Sequence, residues 1–212
     1  LLDSRPELCR SILLSGNATG GPVDRILEKA SMGSVQVDLV TSEKINVICA
    51  DENHQGVVAF LREGLTTSLD SISRKGKGND RSSLLVVLDH IQDPHNMGAI
   101  IRSAEAAGAD GVIFPERRSA SINGTVLKVS AGAAFRIPLI RVINLSRTIE
   151  LLKEMGYWSI GLHQDGEHSI WDSPLPLHLA LVLGSEGKGL TRLVREGCDE
   201  LRCIPMKGST GS

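Results

Sequence analysis

Three short stretches carry residues whose types and spacing suit group-transfer chemistry. In "DPHNMGAIIRSAEAAG", residues 93–108, a polar loop opens onto a helix of small residues that carries one full positive charge, Arg102. The helix is expected to start near Asn96, and its free N–H groups make an anion-friendly end. Gly98 and Ala99 permit close approach of another group. Asn96 and Arg102 lie six residues apart, close to two turns, and are read as sharing a face. The plain alternative is an N-cap asparagine and a surface arginine.

The second stretch is "LALVLGSEGKGL", residues 179–190, an apolar strand running into Gly184, Gly187 and Gly189 with Glu186 and Lys188 between them. It is neither a Walker A loop nor G-x-G-x-x-G. Glu186 repels phosphate, so the loop suits a ligand with a positive centre or with amine and hydroxyl donors; otherwise it is a tight strand-to-helix turn. The third stretch, "LRCIPMKGSTGS", residues 201–212, ends a strand at Pro205, which has no backbone donor. The histidines His54, His95, His163 and His168 have no partner at metal-ligand spacing, and they read as hydrogen-bonded or exposed side chains. No metal is expected.

Positioning these residues falls to two segments. Residues 67–83, "TSLDSISRKGKGNDRSS", are polar, lack apolar periodicity and read as a linker. It separates residues 1–66 from residues 84–212. The front segment reads as small α/β, with strands in "LCRSILLSG", "VQVDLV" and "HQGVVAFLRE" and a helix in "GPVDRILEKASMG". The back segment alternates strands (84–90, 110–114, 138–143, 157–162, 179–183, 200–204) with helices (96–107, about 120–134, 146–155, 190–197). That alternation implies a mostly parallel sheet, with ligands beyond the carboxyl ends of its strands. The three stretches all fall at such ends.

Composition limits the function classes. With 3% aromatic residues, nucleic-acid binding by serial base stacking on an aromatic platform is not expected. The net charge is −2, yet residues 115–147 hold six basic residues (Arg117, Arg118, Lys128, Arg136, Arg141, Arg147) against one acid, Glu116, a local excess of +5. Such a block suits a phosphate-facing surface, or else solvated helix faces. The four cysteines form no C-x-x-C pair and read as reduced, mostly buried thiols of an intracellular, cytoplasmic protein. No run has membrane-spanning length, so no membrane partner is expected.

Taken together, "NMGAIIR", "LVLGSEGKGL" and "IPMKGS", in that order and spacing, resemble the three motifs of the SpoU-type (TrmH/SpoU) RNA 2′-O-ribose methyltransferases of the SPOUT class. "HQGVVAF" and "RRSA" look like the branch that methylates a guanosine of 23S ribosomal RNA. The resemblance implies an α/β fold: a SPOUT-type mostly parallel sheet with a C-terminal trefoil knot, preceded by a small α/β RNA-binding domain. It implies S-adenosyl-L-methionine as cofactor, ribosomal RNA as partner and a homodimer with its active sites near the dimer interface. It makes Arg102, Asn96 and Glu186 the catalytic residues. Leu183, Gly184, Gly189, Ile204 and Met206 become cofactor-binding residues, and His54, Gln55, Arg117, Arg118 and Lys128 RNA-binding residues.

In the family the third motif continues through Ser-Leu-Asn into a helix that completes knot and pocket, whereas this sequence stops at Ser212. It also begins with Leu1. Both segments are therefore expected to be incomplete at their outer ends. The implied reaction is displacement at a sulfonium methyl by a ribose 2′-hydroxyl, which must lose its proton and be held in line at roughly 3–3.5 Å. The motif arginine is often assigned as the base in this family, yet a guanidinium is an always-charged donor. Arg102 is better suited to gripping the adjacent phosphate and stabilising the developing alkoxide. Asn96 would orient Arg102 or the ribose, and Glu186 would fix the active loop or hold RNA groups. The alternatives are a catalytically silent RNA-binding assembly factor on the same fold and a tRNA 2′-O-methyltransferase.

Overall fold

Short apolar runs bounded by polar turns become two sets of strands in a computed structural model that describes residues 1–49, 54–73, 82–206 and 208. They fall in separate units, Leu1–Leu65 and Thr66–Ser212.

In the first unit β1 (Cys9–Ser15) leads through α1 (Gly21–Met32) to β2 (Gln36–Val40), then through α2 (Ser42–Cys49) to β3 (Val57–Leu61). β1 is the middle strand, parallel to β2 and antiparallel to β3. That position explains why Ile12, Leu13 and Leu14 are buried in succession instead of alternating. α1 begins with Pro22 in its first turn and packs Val23, Ile26 and Ala30 on Cys9, Ile12 and Leu14. The sequence reading missed α2, which is too short to show a period and buries only Ile45. His54–Val57 is a β-turn closed by Val57 N–H donating to the His54 carbonyl at 3.0 Å. Its central residues have φ of 52° (Gln55) and 78° (Gly56), the primed geometry that feeds a twisted strand.

The second unit runs β4 (Thr66–Thr67), α3 (Asp70–Ser73), β5 (Ser83–Asp89), α4 (Pro94–Ala106), β6 (Gly111–Pro115), α5 (Gly124–Val129), β7 (Leu139–Val142), α6 (Leu145–Glu154), β8 (Trp158–Leu162), β9 (His168–Ser169), β10 (His178–Gly184), α7 (Arg192–Gly197) and β11 (Glu200–Cys203). The sheet order is β4-β7-β6-β5-β10-β8-β11-β9, and all these pairings are parallel. Leu85, Val87, Ile113, Ile140 and Val182 from the strands and Leu145, Ile149 and Leu152 from α6 form its core. From β5 the chain moves outward to β6 and β7, then crosses back and inserts β10 between β5 and β8. Asp89 and Gly184, the last residues of β5 and β10, are register partners at that reversal. Here the loops leave in opposite directions and open a crevice.

Three expectations need correction. The stretch 67–83 is not all linker: β4 pairs with β7, Ile72 is buried in the core and Ser83 opens β5, while 74–81 lie outside the described residues. The helix expected near Asn96 starts at Pro94, and its cap is Asp93, whose side chain accepts the His95 N–H at 2.8 Å. Pro94 fixes that start because proline suits the first helical turn. The helix expected over 120–134 is broken, since Ala131 (φ 50°) and Gly132 (φ 82°) are left-handed and end α5. The run expected to close a knot would begin at Ser212, which lies outside the described residues.

Candidate active site

Because Asp93 takes the capping role, the Asn96 amide is free, and it donates a hydrogen bond to Glu186 Oε1, ninety residues away in sequence. Glu186 stands in the loop that leaves β10. That loop is closed on itself, with Ser185 N–H donating to the Gly189 carbonyl at 3.1 Å and Gly189 N–H to the Ser185 carbonyl at 2.8 Å. Gly187 and Gly189 supply the left-handed φ values the closure requires, 73° and 62°. The loop's exit is tied to β5: Asp89, wholly buried, accepts the Thr191 N–H at 2.6 Å and bonds the His90 ring.

Against this loop lies a cleft of about 620 Å³, lined among others by Leu162, His163, Leu183, Gly184, Gly189, Cys203, Ile204 and Met206. All five residues expected to bind cofactor therefore meet in one place, at the carboxyl ends of β8, β10 and β11. The volume suits a drug-sized ligand. Leu183, Ile204 and Met206 offer an apolar wall, and Gly184 comes so close to the Gly189–Leu190 backbone that only a residue without Cβ fits. Such a cradle fits a nucleoside with a sulfonium tail better than a polyphosphate, since the acid Glu186 occupies the loop.

Sequence reasoning took His163 for an ordinary hydrogen-bonded or exposed histidine and assigned it no place in the site. Its side chain is only 13% exposed, its Nδ1 accepts the Asp165 N–H at 3.1 Å, and its ring borders Gly189 in the cleft. With Nδ1 accepting, the proton is assigned to Nε2, which has no hydrogen-bond partner among the described residues. Its place just past the end of β8 was the available signal.

Arg102 is not brought to this cleft. It is exposed on α4 and makes neither an ion pair nor a hydrogen bond among the described residues. Six residues at about 100° each leave it about 120° around the helix from Asn96, so the two do not share a face. His95, Ala99, Ser103 and Ala106 are exposed with it. Arg117 and Arg118 are exposed in the loop after β6, and Lys128 is exposed on α5; none of the three lines this cleft.

In the first unit Gln55 is exposed, but both ring nitrogens of His54 are used internally. Nδ1 accepts the Gly56 N–H at 3.0 Å, and Nε2 lies 2.6 Å from Asn46 Oδ1. His54 thus shapes the turn that presents Gln55. Burial pushes the Cys198 thiol up to about 12, leaving it an inert group that donates to the Val194 carbonyl. Among the described residues no three His, Cys, Asp or Glu are placed to hold a metal, and no helix is long and apolar enough to cross a membrane.

A parallel sheet whose reversal point carries a glycine-cradled cleft and a carboxylate–amide pair defines a doubly wound α/β ligand-binding domain. Consistent with that class, the structure aligns with the AdoMet complex of the SpoU methyltransferase AviRb from Streptomyces viridochromogenes at a TM-score of 0.80, with 22% identity, over 100% of this chain and 79% of the other. The SpoU rRNA Methylase family model matches residues 83–212, and the model for RNA 2′-O ribose methyltransferase substrate binding matches residues 1–64. The chain is 46% identical to the 23S rRNA (guanosine-2′-O-)-methyltransferase RlmB of Salmonella typhi, over 100% of this chain and 87% of that protein. Against the RlmB of Escherichia coli strain K12 it is 37% identical over the same shares. The chain belongs to the SpoU rRNA methylase family.

Proposed function

We propose that this chain transfers a methyl group from S-adenosylmethionine to a ribose 2′-hydroxyl of RNA, a guanosine of large-subunit ribosomal RNA, in the cytoplasm and as a homodimer. The observation that carries it is the Asn96–Glu186 hydrogen bond, which ties the start of α4 to the glycine loop lining the cleft. Leu183, Ile204 and Met206 would hold the adenosyl portion, with Gly184 and Gly189 allowing close backbone approach. When bound, S-adenosylmethionine supplies an electrophilic methyl on a sulfonium centre. Glu186 holds the Asn96 amide, so the amide's remaining hydrogen and its oxygen are left to orient the ribose. Arg102, exposed and without a partner among the described residues, grips the phosphate beside the acceptor and stabilises the alkoxide as it forms. Its exposure and its absence from the cleft lining support a site completed by a second copy. The proton leaves to a phosphate oxygen, to water or to a carboxylate. In the first unit the His54–Val57 turn presents Gln55 to the RNA.

Calorimetry with S-adenosylmethionine should show saturable binding to the full protein. Mapping of ribose methylation in ribosomal RNA should show one guanosine losing its mark when the gene is removed. An unchanged methylation map would sink the substrate assignment, and ATP binding in place of S-adenosylmethionine would sink the cofactor. His163→Ala should weaken S-adenosylmethionine binding by roughly three- to tenfold, the scale of one neutral hydrogen bond. His163→Gln, which keeps a donor, should recover part of it. An unaltered Kd in both variants would show that the imidazole only packs.

A further inference from the structure

A second cleft, of about 540 Å³, lies at the carboxyl ends of the strands on the other side of the reversal. It is lined among others by His90, Arg117, Arg118, Ile143, Arg192 and Leu193. Three features set it apart from an ordinary surface hollow.

The first is charge. Arg117 and Arg118 are exposed and pair with no acid among the described residues. Arg192 adds a guanidinium that already shares Glu196, and the positive end of α6 opens on the same cleft. The second is apolar exposure beside that charge. Ile143 is 90% exposed and Leu193 58%. The third is backbone geometry. His90 (φ 60°) and Arg118 (φ 59°) are left-handed, an unfavourable state for residues with a Cβ, and both line this cleft.

That geometry is held from outside. Glu116 N–H donates to the Val142 carbonyl at 2.8 Å, while the Ser119 hydroxyl and Ala120 N–H both donate to the Ile91 carbonyl, at 3.0 and 2.8 Å. The His90 ring is fixed by the buried carboxylate of Asp89. Two arginines are thus carried on a stapled, pre-shaped turn, which lowers the ordering cost of gripping an anion.

Resting on the function proposed above, we infer that this cleft seats one nucleotide of the substrate RNA other than the methyl acceptor. Its phosphate lies on Arg117 and Arg118, and its base lies against Ile143 and Leu193. A phosphate alone would use the arginines and leave the apolar wall without purpose. A second copy of the chain would use the wall and leave the arginines unpaired. A nucleotide uses both, its phosphate on the arginines and its base covering the exposed Ile143 and Leu193 side chains.

The test reads binding instead of turnover. A short fluorescein-labelled single-stranded RNA of mixed sequence is titrated by anisotropy over a range of salt, alongside an abasic ribose-phosphate strand of the same length. The Arg117→Ala/Arg118→Ala double variant should weaken both strands. It should flatten the slope of log Kd against log salt by about 1.4, two phosphate contacts at roughly 0.7 each. Ile143→Ser should weaken the base-bearing strand about five- to tenfold, leave the abasic strand untouched and keep the wild-type salt slope.

Wild-type RNA binding in both variants overturns the inference. So does an Ile143→Ser effect equal on the two strands, or one that appears only as loss of dimer in sedimentation. S-adenosylmethionine affinity, measured on the same samples, should not move. If the wild-type protein binds no S-adenosylmethionine, the function proposed above fails while the RNA titrations still judge this cleft.

Discussion

Arg102→Ala should lower methyl transfer to cognate RNA by roughly 10²–10³-fold, the scale for losing one donor aimed at charge that develops in the transition state. Binding of S-adenosylmethionine should barely change, because Arg102 lies outside the cleft that holds Leu183, Gly184, Gly189, Ile204 and Met206. Its side chain has no partner among the described residues whose loss would unfold the helix, so the melting temperature should also hold. Arg102→Lys keeps the charge without the planar fork and should recover only part of the rate. If Arg102 took the proton itself, the pH limb assigned to that acceptor should shift or vanish in the lysine variant. If it grips phosphate, the limb stays and the rate falls at every pH. Wild-type turnover in Arg102→Ala would make it a surface residue.

Gly184→Ala should damage binding and stability together. A Cβ built there overlaps the Gly189 carbonyl carbon and comes 2.5 Å from Leu190 N and 2.6 Å from Gly189 O. These are backbone atoms in a loop tied down by Ser185, Gly189 and the Thr191–Asp89 bond, so they cannot swing away as a flexible side chain would. The loss should be roughly 1–3 kcal/mol, the range for overpacking, which lowers the melting temperature by about 2–4 °C per kcal/mol in a chain of this length. Displacing the loop also moves Glu186 from Asn96, so S-adenosylmethionine affinity should fall about tenfold or more. Gly197→Ala is the control: nothing lies within 4 Å of its Cβ position, so it should match the wild type in both measurements. A Gly184→Ala protein with wild-type stability and affinity would mean that the loop is looser than its hydrogen bonds indicate.

Much of this was legible in the residues because the signals are local. Apolar runs such as "LLVVLD" and "LALVLG" are strands because they are buried on both faces. Glycine at 184, 187 and 189 announces a turn, and the cleft beside it gathers all five residues expected to bind the cofactor. Other features were hidden because they depend on what a residue meets. The Asp93 cap and the Asn96–Glu186 bond compete for the same short polar loop, and only the position of the β10 loop decides that Asn96 faces Glu186. Helical spacing suggested that Asn96 and Arg102 act on one face, whereas rotation per residue separates them. Short elements such as α2, β4 and β9 carry too few residues to show a period, and they exist through pairing with distant strands or through a single buried side chain such as Ile45.

By itself, then, the sequence determined the alternation of strands and helices, the glycine loop and the family to which its motifs belong. Each follows from residue type and spacing along the chain. The tertiary structure alone decided that β10 enters between β5 and β8, and that His163 borders the cleft. It likewise set the arginine turn after β6 beside Ile143 and Leu193. Those placements follow from strand pairing and close packing between segments far apart in the chain, which no local pattern of residues encodes.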